Sequence, residues 1–403
     1  MGKLRKILGK NAKKYNQSQL KIIQDGIDAG LSVDQIRIYA NPKFDHSQMY
    51  VIMSGFVQEL SMEQVKKYAD EKFSSSQMNQ IRDGFLDGLS MEQIDIYTNT
   101  KYNNYQMEEI RLGLQHGLSV KQIELYADPK FTKYQMKQIR SGFEFYLPIE
   151  QIKIYADQKY CGEQMTQILI GLNAKLHKDQ ISIYANPRFN AGQMGCIRRG
   201  FQRGLTIDQV SLFANPKFDQ YQMQEISSCI EEHFTKKQIQ ILADPRFTAD
   251  QMKEIHAGFI DGLTTEQISI FADPKFNAKQ MYQLRNGFNS KLSIEQVKSY
   301  ADPFLSPADM YSCRNCFSKG IQNPQVFDNV LARYKGMGII EEQAAILAKA
   351  ASNGVPISKL DVITKKNFST EQIEFLIGNL QKNKKPEDKD TEISVNKWEK
   401  GER

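Results

Sequence analysis

Apolar residues in this chain recur on a fixed 29-residue period. A Gln followed by Leu or Met stands at Gln19, Gln48, Gln77, Gln106, Gln135, Gln164, Gln193, Gln222, Gln251 and Gln280, and every step is 29 residues. In the unit that begins at Thr248, Met252, Ile255, Phe259 and Leu263 follow at helical spacing and make one apolar stripe. Thr248 and Gln251 read as a capping box, an N-cap acceptor with a Gln three residues on. Gly262 stands where a left-handed residue would end the helix. Thr264 to Gln267 is a second capping box, and Ile268, Ile270 and Phe271 make a short, mostly buried second helix. Asp273-Pro274 stops it, because Pro cannot continue a helix and restricts the residue before it. Each unit therefore predicts a helix of about 12–14 residues, a tight turn, a helix of about 8 and a Pro turn.

Such a unit cannot bury its apolar faces alone, so copies must stack. The predicted fold is an all-α, right-handed α-solenoid of about twelve two-helix repeats, elongated and curved. Residues 1–14 form a basic N-terminal segment, and residues 15–308 carry the regular repeats. Residues 309–381 are divergent repeats expected to cap the stack. Met310, Arg314, Phe317 and Gly320 keep the period, residues 322–342 lose it, and it resumes five residues late at Gln343 and again at Gln372. Residues 382–403 are charged and weakly hydrophobic, a composition that predicts no packed structure.

Two glycine columns punctuate the unit. The first lies in mid-helix, at Gly26, Gly55, Gly84, Gly113, Gly142, Gly171, Gly200, Gly258 and Gly287. Glycine there costs about 1 kcal/mol against Ala, which predicts the close approach of another backbone. The same column holds Cys229, Cys316 and Ala350, all small, as a packing constraint requires. The second column ends the first helix and is looser, with Glu59, Tyr146, Lys175, His233 and Lys291 in place of Gly. Left-handed geometry there would cost each of them roughly 1–2 kcal/mol, so those turns are expected to be strained or built differently.

The tandem pattern carries a resemblance. Tyr126-Ala127-Asp128-Pro129-Lys130-Phe131 and the run from Gln106 to Leu114 resemble a helical repeat of uncharacterised bacterial tandem-repeat proteins, many of them on mobile elements. The resemblance covers about residues 15–308 and implies an α-solenoid and a bacterial origin. It brings no catalytic residues with it.

Composition adds limits. With 40% hydrophobic and 25% charged residues the chain reads as an ordinary soluble protein. No run reaches the ~18 apolar residues of a membrane span. The N-terminus has no apolar core of the kind a secretory signal needs, and Lys6 stands where a myristoylation motif wants Ser or Thr. Five unevenly spaced cysteines do not make a disulfide framework, so a reducing, cytoplasmic location is expected. The net charge of +6 lies in Lys3, Arg5, Lys6, Lys10, Lys13 and Lys14 at the N-terminus, leaving the solenoid body neutral. A wrapped nucleic-acid contact usually wants a domain-wide positive excess. The N-terminal cations are then a frayed solvated end or a small anionic contact.

No motif for catalysis, a cofactor or a metal emerges. Cys313 and Cys316 resemble half of a zinc or redox motif, but no second pair stands at suitable spacing, and both fall on core columns. His46, His116, His177, His233 and His256 fall at unrelated repeat positions. The strict Gln columns, including Gln35, Gln64 and Gln93, are explained by capping. The lone Trp398 lies in the tail, as a solvated residue or a docking anchor.

Two basic columns are the candidate partner-binding residues. One is Arg82, Arg111, Arg140, Arg198, Arg285 and Arg314 on the shoulder of the first helix. The other runs through the Pro turns: Lys43, Lys72, Lys101, Lys130, Lys159, Arg188, Lys217, Arg246 and Lys275. Stacking would align each into a stripe that could track phosphates or an acidic partner. Alternatively the turn cations are solvated beside the Asp/Asn column and the arginines cover apolar surface with their stems. A drifting column on the second helix, from Arg37, Lys66 and Asp95 onward, is where a binding surface would be written. The expectation is a non-catalytic scaffold that engages a protein partner along the solenoid face. The alternative is nucleic-acid binding through the basic stripes and the N-terminus.

Overall fold

The computed structural model describes residues 7–382, which are all-helical: 25 α-helices and one short 3-10 helix, with no strand among the described residues. They form two compact units, Met1–Ser227 and Ser228–Arg403. In the first unit the long helices Gln17–Asp28, His46–Val57, Ser75–Leu86, Asn104–Gln115, Lys133–Glu144, Gly162–Asn173 and Ala191–Gln202 pack each against the next. The short helices Val33–Tyr39, Met62–Tyr68, Met91–Tyr97 and Lys178–Tyr184 each wedge between their own long helix and the following one. In the second unit Ala249–Ile260, Ala278–Asn289 and Pro307–Ser318 stack in the same way. The long helices run 12 residues and the complete short ones 7, one fewer than expected. The tail from 383 on, with Trp398, and residues 1–6 lie outside the described residues.

The side-chain amide of the recurrent long-helix Gln bonds in two directions. Its Oε1 accepts the N-cap backbone N–H, as in Asn103 to Gln106 at 2.9 Å. Its Nε2 donates to the carbonyl of the residue just before the N-cap of the next long helix, as in Gln106 to Phe131 at 2.7 Å, where it also reaches the Pro129 carbonyl at 2.9 Å. The second bond repeats from Gln19 to Phe44, Gln48 to Phe73, Gln77 to Tyr102, Gln135 to Tyr160 and Gln251 to Phe276. Capping alone therefore does not account for this column. The amide also ties each repeat to the next, and at most positions it is buried.

The mid-helix glycines face a side chain, not the backbone that the sequence predicted. A Cβ built on Gly26, Gly55, Gly84, Gly113, Gly142 or Gly171 would overlap the hydroxyl of the short-helix Tyr39, Tyr68, Tyr97, Tyr126, Tyr155 or Tyr184. These tyrosines are fully buried. Where the column holds Cys229 or Ala350, the residue 13 positions on is Leu242 or Ile363 and not an aromatic. The two columns thus compensate in volume.

Glu59, Tyr146, Lys175, His233 and Lys291 all adopt left-handed backbone, with φ between 58° and 65°. Their turns keep the hydrogen bonds of those built on Gly30, Gly88, Gly117, Gly204 and Gly262, where φ lies between 78° and 91°, so each side chain is held in the left-handed region. At the N-terminus the chain is docked, not frayed, from Leu8 on. Leu8 is buried, Gly9–Lys14 forms the 3-10 helix, and the Tyr15 hydroxyl donates to the Ala40 carbonyl at 2.6 Å. Tyr102 and Tyr160 make the same bond to Ala127 and Ala185. Tyr15 thus takes the aromatic position of an incomplete leading repeat.

Residues 322–342 contain a helix the repeat template did not predict, Pro324–Gly336. Val330 and Tyr334 bury one of its faces along Glu341–Ser352, which packs in turn on Thr370–Lys382.

Candidate interaction surface

The two basic columns have different surroundings. The long-helix arginines reach back to the preceding repeat. Arg111 Nε donates to Gln80 at 3.0 Å, Arg140 to Glu109 at 2.9 Å, Arg198 to Gln167 at 3.2 Å and Arg285 to Glu254 at 3.0 Å. The acceptor lies 31 residues earlier each time, not in the turn Asp column. Arg111 and Arg285 also pair with Asp87 and Asp261. Arg82 donates to Ser54 at 2.8 Å and pairs with Asp83. Arg314 departs from the rule: its Nε and the Oε1 of Gln283 are both buried without a hydrogen-bond partner, and its guanidinium lies over the Tyr311 ring. Residues Arg140 and Arg198 are less than a tenth exposed. These groups bind repeat to repeat.

The densest of these clusters is charged and partly desolvated. Burial pushes the Glu109 carboxyl above the usual range despite the Arg140 guanidinium beside it. Burial also pushes on Glu144, but hydrogen bonds from His116 and Arg140 hold it below that range. At Arg140 burial opposes the charge, and Glu109 and Glu144 outweigh it, so the guanidinium is raised.

The Pro-turn cations are exposed throughout. Each backbone N–H is held by the Asp or Asn two residues before, as in Lys130 to Asp128 at 2.9 Å, Arg188 to Asn186 at 3.0 Å, Lys217 to Asn215 at 3.1 Å and Lys275 to Asp273 at 3.0 Å. Lys43 pairs with Glu71, Lys159 with Asp157 and Arg246 with Asp244. Among the described residues, no ion pair engages Lys72, Lys101, Lys130, Arg188, Lys217 or Lys275.

Solvent-facing aromatics are a feature that the sequence reading passed over. In the first unit Tyr50, Tyr105, Tyr134 and Tyr221 stand exposed on the outer side of long helices. Lys133 lies over the rings of both Tyr105, at 4.2 Å, and Tyr134, at 5.0 Å. The available signal was an aromatic at the second or fifth helical position, where most other repeats carry polar or small residues and Tyr282 and Tyr311 repeat the pattern in the second unit.

Cys313 and Cys316 lie one turn apart on Pro307–Ser318 as free, half-buried thiols. Burial raises both, which makes them poorer nucleophiles. Among the described residues no three His, Cys, Asp or Glu side chains gather to hold a metal ion, and no helix is long and apolar enough to cross a membrane. No protein-family model matches the chain, and no curated protein matches it.

Proposed function

We propose that this chain is a non-catalytic scaffold that binds a protein partner along the outer face of its stacked helices. The observation that carries the reading is the set of exposed tyrosines on a rigid, internally bonded ladder, with Tyr105, Lys133 and Tyr134 arranged as one amphipathic cluster. Tyrosine offers large contact area at low entropic cost and is enriched at interfaces. The bacterial origin that the repeat resemblance implies and the reducing, cytoplasmic setting that the unpaired cysteines suggest belong to the same proposal. Affinity capture from source-cell lysate tests it, with the native chain and a Tyr105→Ser/Tyr134→Ser variant, both nuclease-treated. A stoichiometric protein held by the native chain and lost from the variant is expected. Equal retention by both would remove the tyrosine face.

A nucleic-acid reading has one specific support, the unpaired cations Lys72, Lys101, Lys130, Arg188 and Lys217 on turns of the first unit, interrupted by the paired Lys159. It requires affinity that falls steeply with salt. Binding of single- or double-stranded oligonucleotides with such a slope, reduced by Lys101→Ala/Lys130→Ala, would favour it over the protein scaffold.

A further inference from the structure

The turn that joins long to short helix is left-handed in every repeat of the first unit, and two of the side chains that replace its glycine fall in consecutive repeats. Gly30, Gly88, Gly117 and Gly204 hold the left-handed position with φ between 79° and 91°. Tyr146 and Lys175 hold it at φ 58° in two consecutive repeats. Among the regular repeats the other exceptions, Glu59, His233 and Lys291, each stand alone. Left-handed backbone is unfavourable for any side chain with a Cβ. The next helix start is also weakened there, because Pro148 replaces the usual Ser or Thr and makes no side-chain cap.

What these two repeats surrender locally, they convert into unusual exposed chemistry. Tyr146 is 93% exposed and the preceding Phe145 is 53% exposed. Phe145 occupies a position held elsewhere in the unit by Ala29, Gln58, Asp87 and His116. The preceding repeat and the Lys175 repeat itself break their columns toward positive charge. Lys121 stands where Asp34, Glu63, Glu92 and Glu150 stand in their repeats, and Lys178 stands where Val33, Val120 and Ile207 do. The long helices of these repeats pack in succession, and the His116 ring meets Glu144, which joins one turn edge to the next. Three nearby acids are already engaged, Glu144 by Arg140 and His116, Glu150 by Lys153 and Asp179 by His177, while Glu124, exposed three residues after Lys121, has no ion pair among the described residues. Lys121, Lys175 and Lys178 carry no ion pair among the described residues.

We propose that this turn edge docks an acidic peptide segment of a protein partner, with Phe145 and Tyr146 as the apolar anchor and Lys121, Lys175 and Lys178 as the charge contacts. The proposal rests on the scaffold reading and adds the chemistry of the partner. Strained backbone and exposed aromatics coincide where binding, not stability, dictates the residue. Three unpaired cations on the same and adjacent repeats as an aromatic pair favour a segment that carries Asp or Glu beside an apolar side chain.

The test uses the full chain as bait for a random-peptide display library. Enriched peptides should be acidic with an apolar residue. Their Kd should rise about tenfold or more in Tyr146→Gly, a hot-spot loss. The same variant should raise the melting temperature, since glycine is the residue of the sibling turns. Loss of binding with a gain of stability cannot come from misfolding. Lys121→Glu/Lys175→Glu/Lys178→Glu should abolish the binding. Basic peptides, no enrichment, or peptides that bind Tyr146→Gly as tightly as the native chain would overturn the proposal. So would sedimentation with phosphatidylserine vesicles that Tyr146→Gly abolishes, which would assign the edge to a lipid surface. If lysate capture still retains a protein, such a failure removes this site and leaves the scaffold standing.

Discussion

The side-chain amide of Gln106 bridges two repeats: its Oε1 accepts the Asn103 N–H at 2.9 Å while its Nε2 donates to the Phe131 carbonyl at 2.7 Å. A Gln106→Glu change keeps the first bond and turns the second into an acceptor facing an acceptor. Leaving that carbonyl unsatisfied in a buried site should cost about 1–3 kcal/mol. The same change at Gln122 should be nearly neutral, because that short-helix Gln serves only its own exposed capping box with Ser119. Urea denaturation of both variants checks the pair. Equal losses would mean that capping, not the link between repeats, is what the column supplies.

Gly55 and Tyr68 are coupled through one hydroxyl group. A Cβ on Gly55 would overlap the Tyr68 hydroxyl yet stand 3.3 Å from its Cζ. Gly55→Ala should therefore destabilise by about 1–3 kcal/mol through overpacking, despite the better helix propensity of Ala. Tyr68→Phe should recover most of the loss, since Phe213 and Phe271 already fill this column. A double-mutant cycle should return a coupling above about 0.5 kcal/mol. Strict additivity would show that the glycine serves some other contact.

Much of this architecture is legible in the sequence, and the reasons for the remainder are physical. Capping boxes, helix order and the left-handed positions follow from local chemistry, so Thr248, Gln251 and Gly262 declare them directly. The second bond of Gln106 has a partner 25 residues away, and no local pattern reports it. The tyrosine opposite each glycine is visible only when two columns are compared, as Cys229 with Leu242 shows. Pro324–Gly336 has its own helical stripe, Val326, Val330 and Tyr334, but out of register with the repeat that dominates the chain. Of the candidate site, the exposure of the Pro-turn cations was legible. The engagement of the arginines was not, because a stack sets their distance to Glu109 or Glu254.

Burial raises the hydroxyl pKa of Tyr39, Tyr68, Tyr97, Tyr126, Tyr155 and Tyr184 far above its ordinary value. In the unfolded chain these groups ionise at about pH 10. A raised folded value means stability is fully present below that pH and is lost as pH rises beyond it. The first unit should therefore unfold cooperatively above about pH 10, with tyrosinate absorbance and helix loss by circular dichroism rising together. Tyrosinate formation that is complete while the helical signal persists would contradict this. At neutral pH Tyr68→Phe should be neutral or stabilising by up to about 1 kcal/mol, because that buried hydroxyl has no partner. Tyr126→Phe should be worse, since it removes the bond to the Glu109 carbonyl at 3.2 Å.

Arg140 and Arg188 belong to the two basic columns, and substituting each separates structural cations from available ones. Arg140→Ala strands Glu109, whose side chain is 11% exposed, so a loss of about 3–5 kcal/mol is expected, as for a broken buried pair. Arg188→Ala should change stability by less than about 0.5 kcal/mol, because its head is exposed and its backbone bond to Asn186 remains. The pH dependence sharpens the contrast. The Glu109 carboxyl is already raised by burial with Arg140 present, and removing the guanidinium raises it further. A raised folded value favours the protonated form, so the Arg140→Ala deficit should shrink as pH falls through that value and grow as pH rises. Urea midpoints at pH values spanning the carboxylate range report both effects. A pH-independent deficit would detach Glu109 from it. Unchanged stability in Arg140→Ala, together with lost affinity for a nucleic acid or an acidic protein, would return the arginine column to the binding surface.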